Sequence, residues 1–155
     1  MVITSILNLL FSFGASSLFG VLFNSPRYLL VPAGIVGAIG WGAFKLGLMW
    51  NGSDIESSFI GGFFIGVMSH LMSKRFLSPV ILFIIPGIIP LVPGGPAYES
   101  IKNLVLNDYH EAIITMIEVA LISSSIALGL LIADLLSKMY FKSKKQAQIK
   151  KINGC

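Results

Sequence analysis

Residues 85–98 read IPGIIPLVPGGPAY, and they lie within an apolar run long enough to cross a membrane. The stretch contains four prolines and three glycines within eleven residues. A proline inside a helix removes a backbone hydrogen bond and clashes with the preceding turn, at a cost of about 3 kcal/mol each. Four such residues, about 12 kcal/mol together, predict that the helix breaks here.

A broken helix in a bilayer leaves carbonyl and amide groups that lipid cannot satisfy. Such backbone survives only where protein or a water-filled cavity surrounds it. In transporters, broken helices offer these groups to a solute near the bilayer midplane. We therefore interpret the break as part of a solute-binding site. The alternative is a proline-kinked span whose break only shapes helix packing.

The composition is that of an integral membrane protein in a single domain of 155 residues. Hydrophobic residues make up 55% of the chain and charged residues 12%, against about 25% charged residues in soluble domains. Six of the eleven lysines and arginines lie in the last eighteen residues, so the net charge of +4 reflects membrane topology and not nucleic-acid binding. Cys155, the single cysteine, cannot form an intrachain disulfide.

Apolar runs predict an all-α, polytopic membrane protein with about five transmembrane helices, the fourth of them broken. The runs comprise residues 2–23, 28–50, 58–72, 76–92 and 112–140. After the break, residues 97–106 carry their apolar side chains on one face, which predicts a short helix along the membrane interface. Residues 1–140 would form the transmembrane domain, and residues 141–155 a basic cytoplasmic tail.

The basic residues predict the orientation of the chain in the membrane. With five spans, Arg27, Lys74, Arg75 and the tail lysines fall on one side. Most acidic loop residues fall on the other side, among them Asp54 and Glu56. Because basic loops stay in the cytoplasm, we expect the N-terminus outside and the C-terminus in the cytoplasm.

Charged residues inside the predicted spans need an explanation, because a charge at the centre of a span costs about 2.5–3.5 kcal/mol. At 1.5 Å per residue, Lys45 and Glu118 lie about 7 and 9 Å below the outer ends of their helices, so an ion pair between them is possible. His70 and Asp134 lie near the cytoplasmic ends of theirs and could relay a proton. The alternative for Lys45 and Asp134 is that each reaches the nearer interface by snorkelling.

The break and a few groups beyond it are the predicted lining of a solute path. The amide end of a half-helix is partly positive and suits a carboxylate. The sequence contains no nucleophile elbow, HExxH motif or phosphate loop, so we predict no enzyme, cofactor or metal site. The candidate path residues are Pro86, Gly87, Pro90, Pro93, Gly94, Gly95, Tyr98, Glu118 and Ser124.

The order of these features resembles the threonine/serine exporter (ThrE) family, specifically its C-terminal half, which also occurs as a separate small subunit of the YjjB type. The resemblance extends from the first helix to about Tyr140. It is carried by residues 23–27 (FNSPR), the glycine-rich second helix, residues 89–94 (IPLVPG) followed by Ala97-Tyr98, and the serines of the last helix.

The resemblance implies a secondary exporter of small amino acids such as threonine and serine, or of small dicarboxylates such as succinate, in a bacterial plasma membrane. It also implies a second membrane subunit of the YjjP type, which supplies the other half of the transporter; a homo-oligomer is a further possible assembly. The alternative function is a non-transporting membrane scaffold or assembly subunit, which the small-residue helix faces would suit.

Overall fold

The chain forms an all-α bundle in the computed structural model, which describes residues 2–152 and the side chains of residues 5–50 and 52–140. The predicted tail, residues 141–155, lies outside the described side chains, although the last helix runs on to Ile152. The elements are α1 (Val2–Leu22), α2 (Arg27–Asn51), α3 (Asp54–Phe76), α4 (Ile81–Ile88), a 3-10 turn (Ile89–Leu91), α5 (Gly94–Val105) and α6 (Tyr109–Ile152).

Four of the described helices are long and apolar enough to cross a membrane: Ser5–Leu22, Arg27–Trp50, Asp54–Phe76 and Tyr109–Tyr140. Residues 81–91 and α5 add a fifth crossing if they are taken as one span, and they are bent by 55° relative to each other. The prediction of a multi-pass, all-α protein with a broken fourth helix is therefore confirmed.

Helix α3 is longer than its apolar run, because polar residues at both ends belong to the helix. Asp54 and Glu56 occupy the first turn, where acidic side chains suit the positive end of the helix dipole. Lys74 and Arg75 occupy the last turn, where basic side chains suit the negative end. We call these two ends of the bundle the Asp54 end and the Arg75 end.

The core lies where the half-helix α4 and the 3-10 turn pack against α1, α2 and α3. Phe83 of α4 is fully buried there, together with Val36 and Ile65. Gly87 permits this close packing, since a Cβ atom on it would lie 2.9 Å from a Val36 methyl group. The half-helix is therefore held inside the bundle and not on its lipid-facing surface.

Helices α3 and α6 run parallel and approach closely through glycines. A Cβ atom on Gly129 would lie 2.5 Å from the Phe59 carbonyl oxygen, and one on Gly62 would lie 2.7 Å from the Ile126 carbonyl oxygen. The Ser125 hydroxyl donates a hydrogen bond to the Ile55 carbonyl oxygen at 2.5 Å. Small residues at such interfaces allow the backbones of membrane helices to pack directly.

The start of α6 extends beyond α3 at the Asp54 end. Because Ser125 lies beside Ile55 in the first turn of α3, residues 109–124, about 24 Å of helix, continue past that turn. Helix α5 folds back along this part of α6, where the buried Ser100 hydroxyl donates to the Ala112 carbonyl oxygen at 3.0 Å. Helices α5 and α6 therefore form a hairpin that stands beyond the end of α3.

Candidate functional site

A cavity of about 350 Å³ lies between α1, α2 and the 3-10 turn; we call it the break cavity. Trp41 forms its wall on the side of α2, and Pro90 forms its wall on the side of the turn. The remaining lining residues come from α1 and are Asn8, Phe11, Ser12 and Ala15. The break predicted from the prolines therefore borders an open space that also contains polar groups.

The prolines explain why the fourth element ends at this point. Since Pro90 has no N–H group, the Pro86 carbonyl lacks its α-helical donor, and α4 gives way to the 3-10 turn. Val92 is extended, with φ −60° and ψ 126°, and the Gly94 amide donates to the Val92 carbonyl at 2.8 Å. Residues 81–91 span about 16 Å, roughly half of the 30 Å hydrocarbon core, before the chain turns.

A polar stripe on α1 supplies the hydrogen-bonding groups of this site. Asn8, Ser12 and Ser16 are four residues apart, and this spacing places them on one helix face. Ser12 is 6% exposed, and Ser16 is fully buried with no hydrogen-bond partner for its hydroxyl. The four-residue spacing is visible in the sequence, although none of the path residues predicted from the sequence lies on α1.

Gly37 of α2 makes the room that the Ser16 hydroxyl occupies. A Cβ atom on Gly37 would overlap the Ser16 oxygen and would lie 3.6 Å from the Pro90 ring. The unpartnered hydroxyl is therefore within one helical turn of the cavity wall formed by Ser12. A buried hydroxyl without a partner costs about 1–3 kcal/mol.

Lys45 lies one turn beyond Trp41 on α2, and the structure does not bring it next to Glu118, although the sequence left an ion pair between them possible. The Lys45 ammonium lies 6.0 Å from the centre of the Trp41 ring. Glu118 is exposed and precedes Ser125 by seven residues, so it lies about 10 Å along α6 beyond the level of Ile55. Gly47, two residues after Lys45, packs against Ser57 of α3. Lys45 therefore lies deeper in the bundle than Ile55. The offset between α3 and α6 separates the two charges.

The other predicted pair does come together, near the Arg75 end. The His70 Nε2 atom lies 3.0 Å from an Asp134 carboxylate oxygen, and the His70 Nδ1 atom lies 2.9 Å from the Gly66 carbonyl oxygen. Lys138 donates to the second Asp134 oxygen at 2.6 Å. The His70 ring therefore connects the Gly66 carbonyl of its own helix to the Asp134 carboxylate on α6.

The remaining predicted path residues do not converge on one site. Pro86 and Gly87 are buried in the core, and of the predicted set only Pro90 lines the break cavity. Ser124 is exposed and donates to the Ala120 carbonyl of its own helix, whereas Ser125 makes the contact between helices. Pro93 is partly buried beside the turn; Gly94, Gly95 and Tyr98 are exposed at the start of α5.

A second, larger opening of about 730 Å³ runs along α2, but its chemistry is different. Glycine, alanine and large apolar side chains form its walls, and the Trp50 indole is the single polar group among the lining side chains. Such a groove suits lipid chains or another helix, and it does not offer the donors and acceptors that a small polar solute requires. The break cavity is therefore the better candidate site.

Comparison with known families supports a transporter assignment. A family model described as threonine/serine exporter, ThrE, matches residues 8–136 of this chain. The matched region includes the break cavity and the His70–Asp134 pair. No solved structure matches the chain.

Proposed function

Because this chain belongs to the threonine/serine exporter family, we propose that it is a membrane subunit of a secondary exporter of small amino acids such as threonine and serine. The break cavity is the main support for this function. Its volume of about 350 Å³ is at the lower end of the range for ligand sites, about 300–1,000 Å³, as a small solute requires. Its polar groups lie where the fourth element is interrupted, about halfway across the bilayer.

We further propose that a second membrane subunit of the YjjP type completes the path, and that small dicarboxylates such as succinate are a second class of solute. Apolar side chains such as Leu121, Leu128 and Leu135 are about half-exposed along α6 and offer such a partner a surface. We keep the predicted orientation, with the Arg75 end in the cytoplasm of a bacterial cell. Efflux from vesicles with both chains, compared with either chain alone, tests this assembly.

Filling the break cavity should block export. We expect Ala15→Leu to lower L-threonine export at least tenfold, because the longer side chain occupies space that the solute needs. The matched control is Gly14→Leu, one residue away on α1, where an added Cβ atom meets nothing within 4 Å. Export is measured as efflux of labelled L-threonine from cells that carry the variant chain in place of the native one.

Both variants must also reach the membrane in equal amounts, as judged by immunoblotting of membrane fractions. Undiminished export by Ala15→Leu would exclude the break cavity from the solute path. A scaffold function, the alternative, predicts that both variants export normally as long as the second subunit remains associated.

We propose that the His70–Asp134 pair couples export to proton movement. The ring nitrogens face two acceptors, and Asp134 keeps partial contact with its surroundings through a side chain that is 33% exposed. Proton uptake by one partner therefore changes the bond that joins α3 to α6. Intramembrane histidines and carboxylates commonly form such relays in transporters.

Replacing either member of the His70–Asp134 pair should uncouple export from the proton gradient. We expect Asp134→Asn and His70→Gln to lower gradient-driven export at least tenfold and to abolish its response to a protonophore. His110→Gln is the matched control, since His110 is exposed at the start of α6. Export that remains fully sensitive to the protonophore in both variants would refute the coupling role.

A further inference from the structure

We infer that Lys45 binds the carboxylate of the exported solute at the mouth of the break cavity. The inference rests on the proposed export function, and it assigns a ligand-binding role to a lysine inside a membrane span. The Lys45 ammonium lies over the Trp41 ring, and this ring forms part of the cavity wall.

The position of Lys45 follows from the register of α1 against α2. These helices run antiparallel: a Cβ atom on Gly42 would lie 3.6 Å from a Leu9 methyl group, and one on Gly37 would meet Ser16. Lys45 therefore lies near the level of Asn8, the cavity residue of α1 closest to the Asp54 end. A solute entering or leaving at that end passes Lys45.

The direction of the Lys45 side chain distinguishes this role from snorkelling. A lysine that reaches for the interface extends its ammonium toward the near end of its helix. In this chain the near end is Asn51, yet the ammonium lies over the ring of Trp41, four residues deeper in α2. An ammonium above an aromatic face is stabilised by the ring quadrupole. Trp41 therefore keeps the charge beside the cavity.

The Lys45 charge has no counter-ion in the described part of the chain. The ion pairs described above both involve Asp134, at the other end of the bundle. Among the described residues, the charge of Lys45 contacts the Trp41 ring. A charged side chain within a span ordinarily pairs with a group of opposite sign. A bound carboxylate would supply that group at the cavity mouth.

The rest of the cavity predicts which parts of the solute matter most. Ser12 and Asn8 offer neutral donors and acceptors for hydroxyl and ammonium groups, and no carboxylate lines the cavity. A solute carboxylate would therefore be essential, whereas its other polar group could be an ammonium, a hydroxyl or a second carboxylate. The same site would accept threonine, serine and a small dicarboxylate.

Tryptophan fluorescence can test this inference, since the chain has only two tryptophans. In the full chain with Trp50→Phe, reconstituted in lipid nanodiscs, Trp41 is the remaining reporter. We expect L-threonine to change its emission, and L-threonine amide, which lacks the carboxylate, to bind at least tenfold more weakly. Lys45→Gln should weaken L-threonine binding at least tenfold, so that L-threonine and its amide bind equally weakly. Lys45→Arg, which keeps the positive charge, should restore most of the L-threonine affinity.

Export by intact cells gives a second readout. Lys45→Gln should raise the intracellular L-threonine concentration for half-maximal export at least tenfold, whereas Lys102→Gln, an exposed lysine on α5, should leave it unchanged. If Lys45→Gln keeps wild-type half-saturation, the inference is overturned and the proposed export function stands. If native cells export neither L-threonine nor succinate through this chain, the proposed function itself fails.

Discussion

Gly129→Val is expected to lower the thermal unfolding midpoint of the purified protein by about 6–12 °C, which corresponds to about 3 kcal/mol in a chain of this size. The first added carbon would lie 2.5 Å from the Phe59 carbonyl oxygen and 2.9 Å from the Phe63 amide nitrogen. Both are backbone atoms, so no side-chain rotation can relieve the clash. Overpacking of this kind forces helices apart.

Separation of α3 from α6 would also break two polar contacts. The Ser125 hydroxyl would lose the Ile55 carbonyl, and the His70–Asp134 pair, at 3.0 Å, would open. Circular dichroism melting in detergent measures the effect, with Gly14→Val as the control because its Cβ would meet nothing within 4 Å. If the two variants have the same unfolding midpoint, the glycine contacts between α3 and α6 do not limit the stability of the protein.

Replacing both Pro90 and Pro93 with alanine should reduce export to background while the protein still inserts into the membrane. The new amides at positions 90 and 93 supply the α-helical donors that the Pro86 and Ile89 carbonyls lack, so α4 can continue as a helix through the turn. A continuous helix would remove the 55° bend and withdraw the Pro90 ring from the cavity wall. Export falls because the cavity loses its shape, although the fold gains hydrogen bonds.

Pro32→Ala is the matched control for the double variant, since Pro32 lies inside α2 and outside the break cavity. Efflux of L-threonine, normalised to the amount of protein in the membrane, distinguishes the two. Wild-type export by the double proline variant would mean that the break shapes packing alone. In that case the family assignment would remain, but the site would have to lie elsewhere.

Several properties could be derived from local sequence because their causes are local. Apolar runs of sufficient length predicted the membrane spans, and the prolines at 86, 90 and 93 predicted the break. The motif around the break also carried the resemblance to the threonine/serine exporter family, which the match over residues 8–136 confirms. These features depend on missing amide hydrogens and on side-chain hydropathy, and neither requires knowledge of a neighbouring helix.

The pairing of charges could be predicted only in part. Counting residues from the helix ends suggested equal depths for Lys45 and Glu118, as it suggested proximity for His70 and Asp134. The second estimate matched the geometry and the first did not, because α6 begins far beyond α3. A depth counted along one helix carries no information about how that helix is shifted against another.

The sequence alone therefore determines that the protein is all-α, that it has several membrane spans and that the fourth helix is interrupted. Each of these features depends on chemistry within one segment. The cavity that joins Pro90 to Ser12 and Trp41 required the folded bundle. Its existence depends on which glycine faces which neighbour, as Gly37 faces Ser16. Helix rotation and shift are determined by contacts between segments far apart in the chain, and these contacts bring the polar face of α1 to the break.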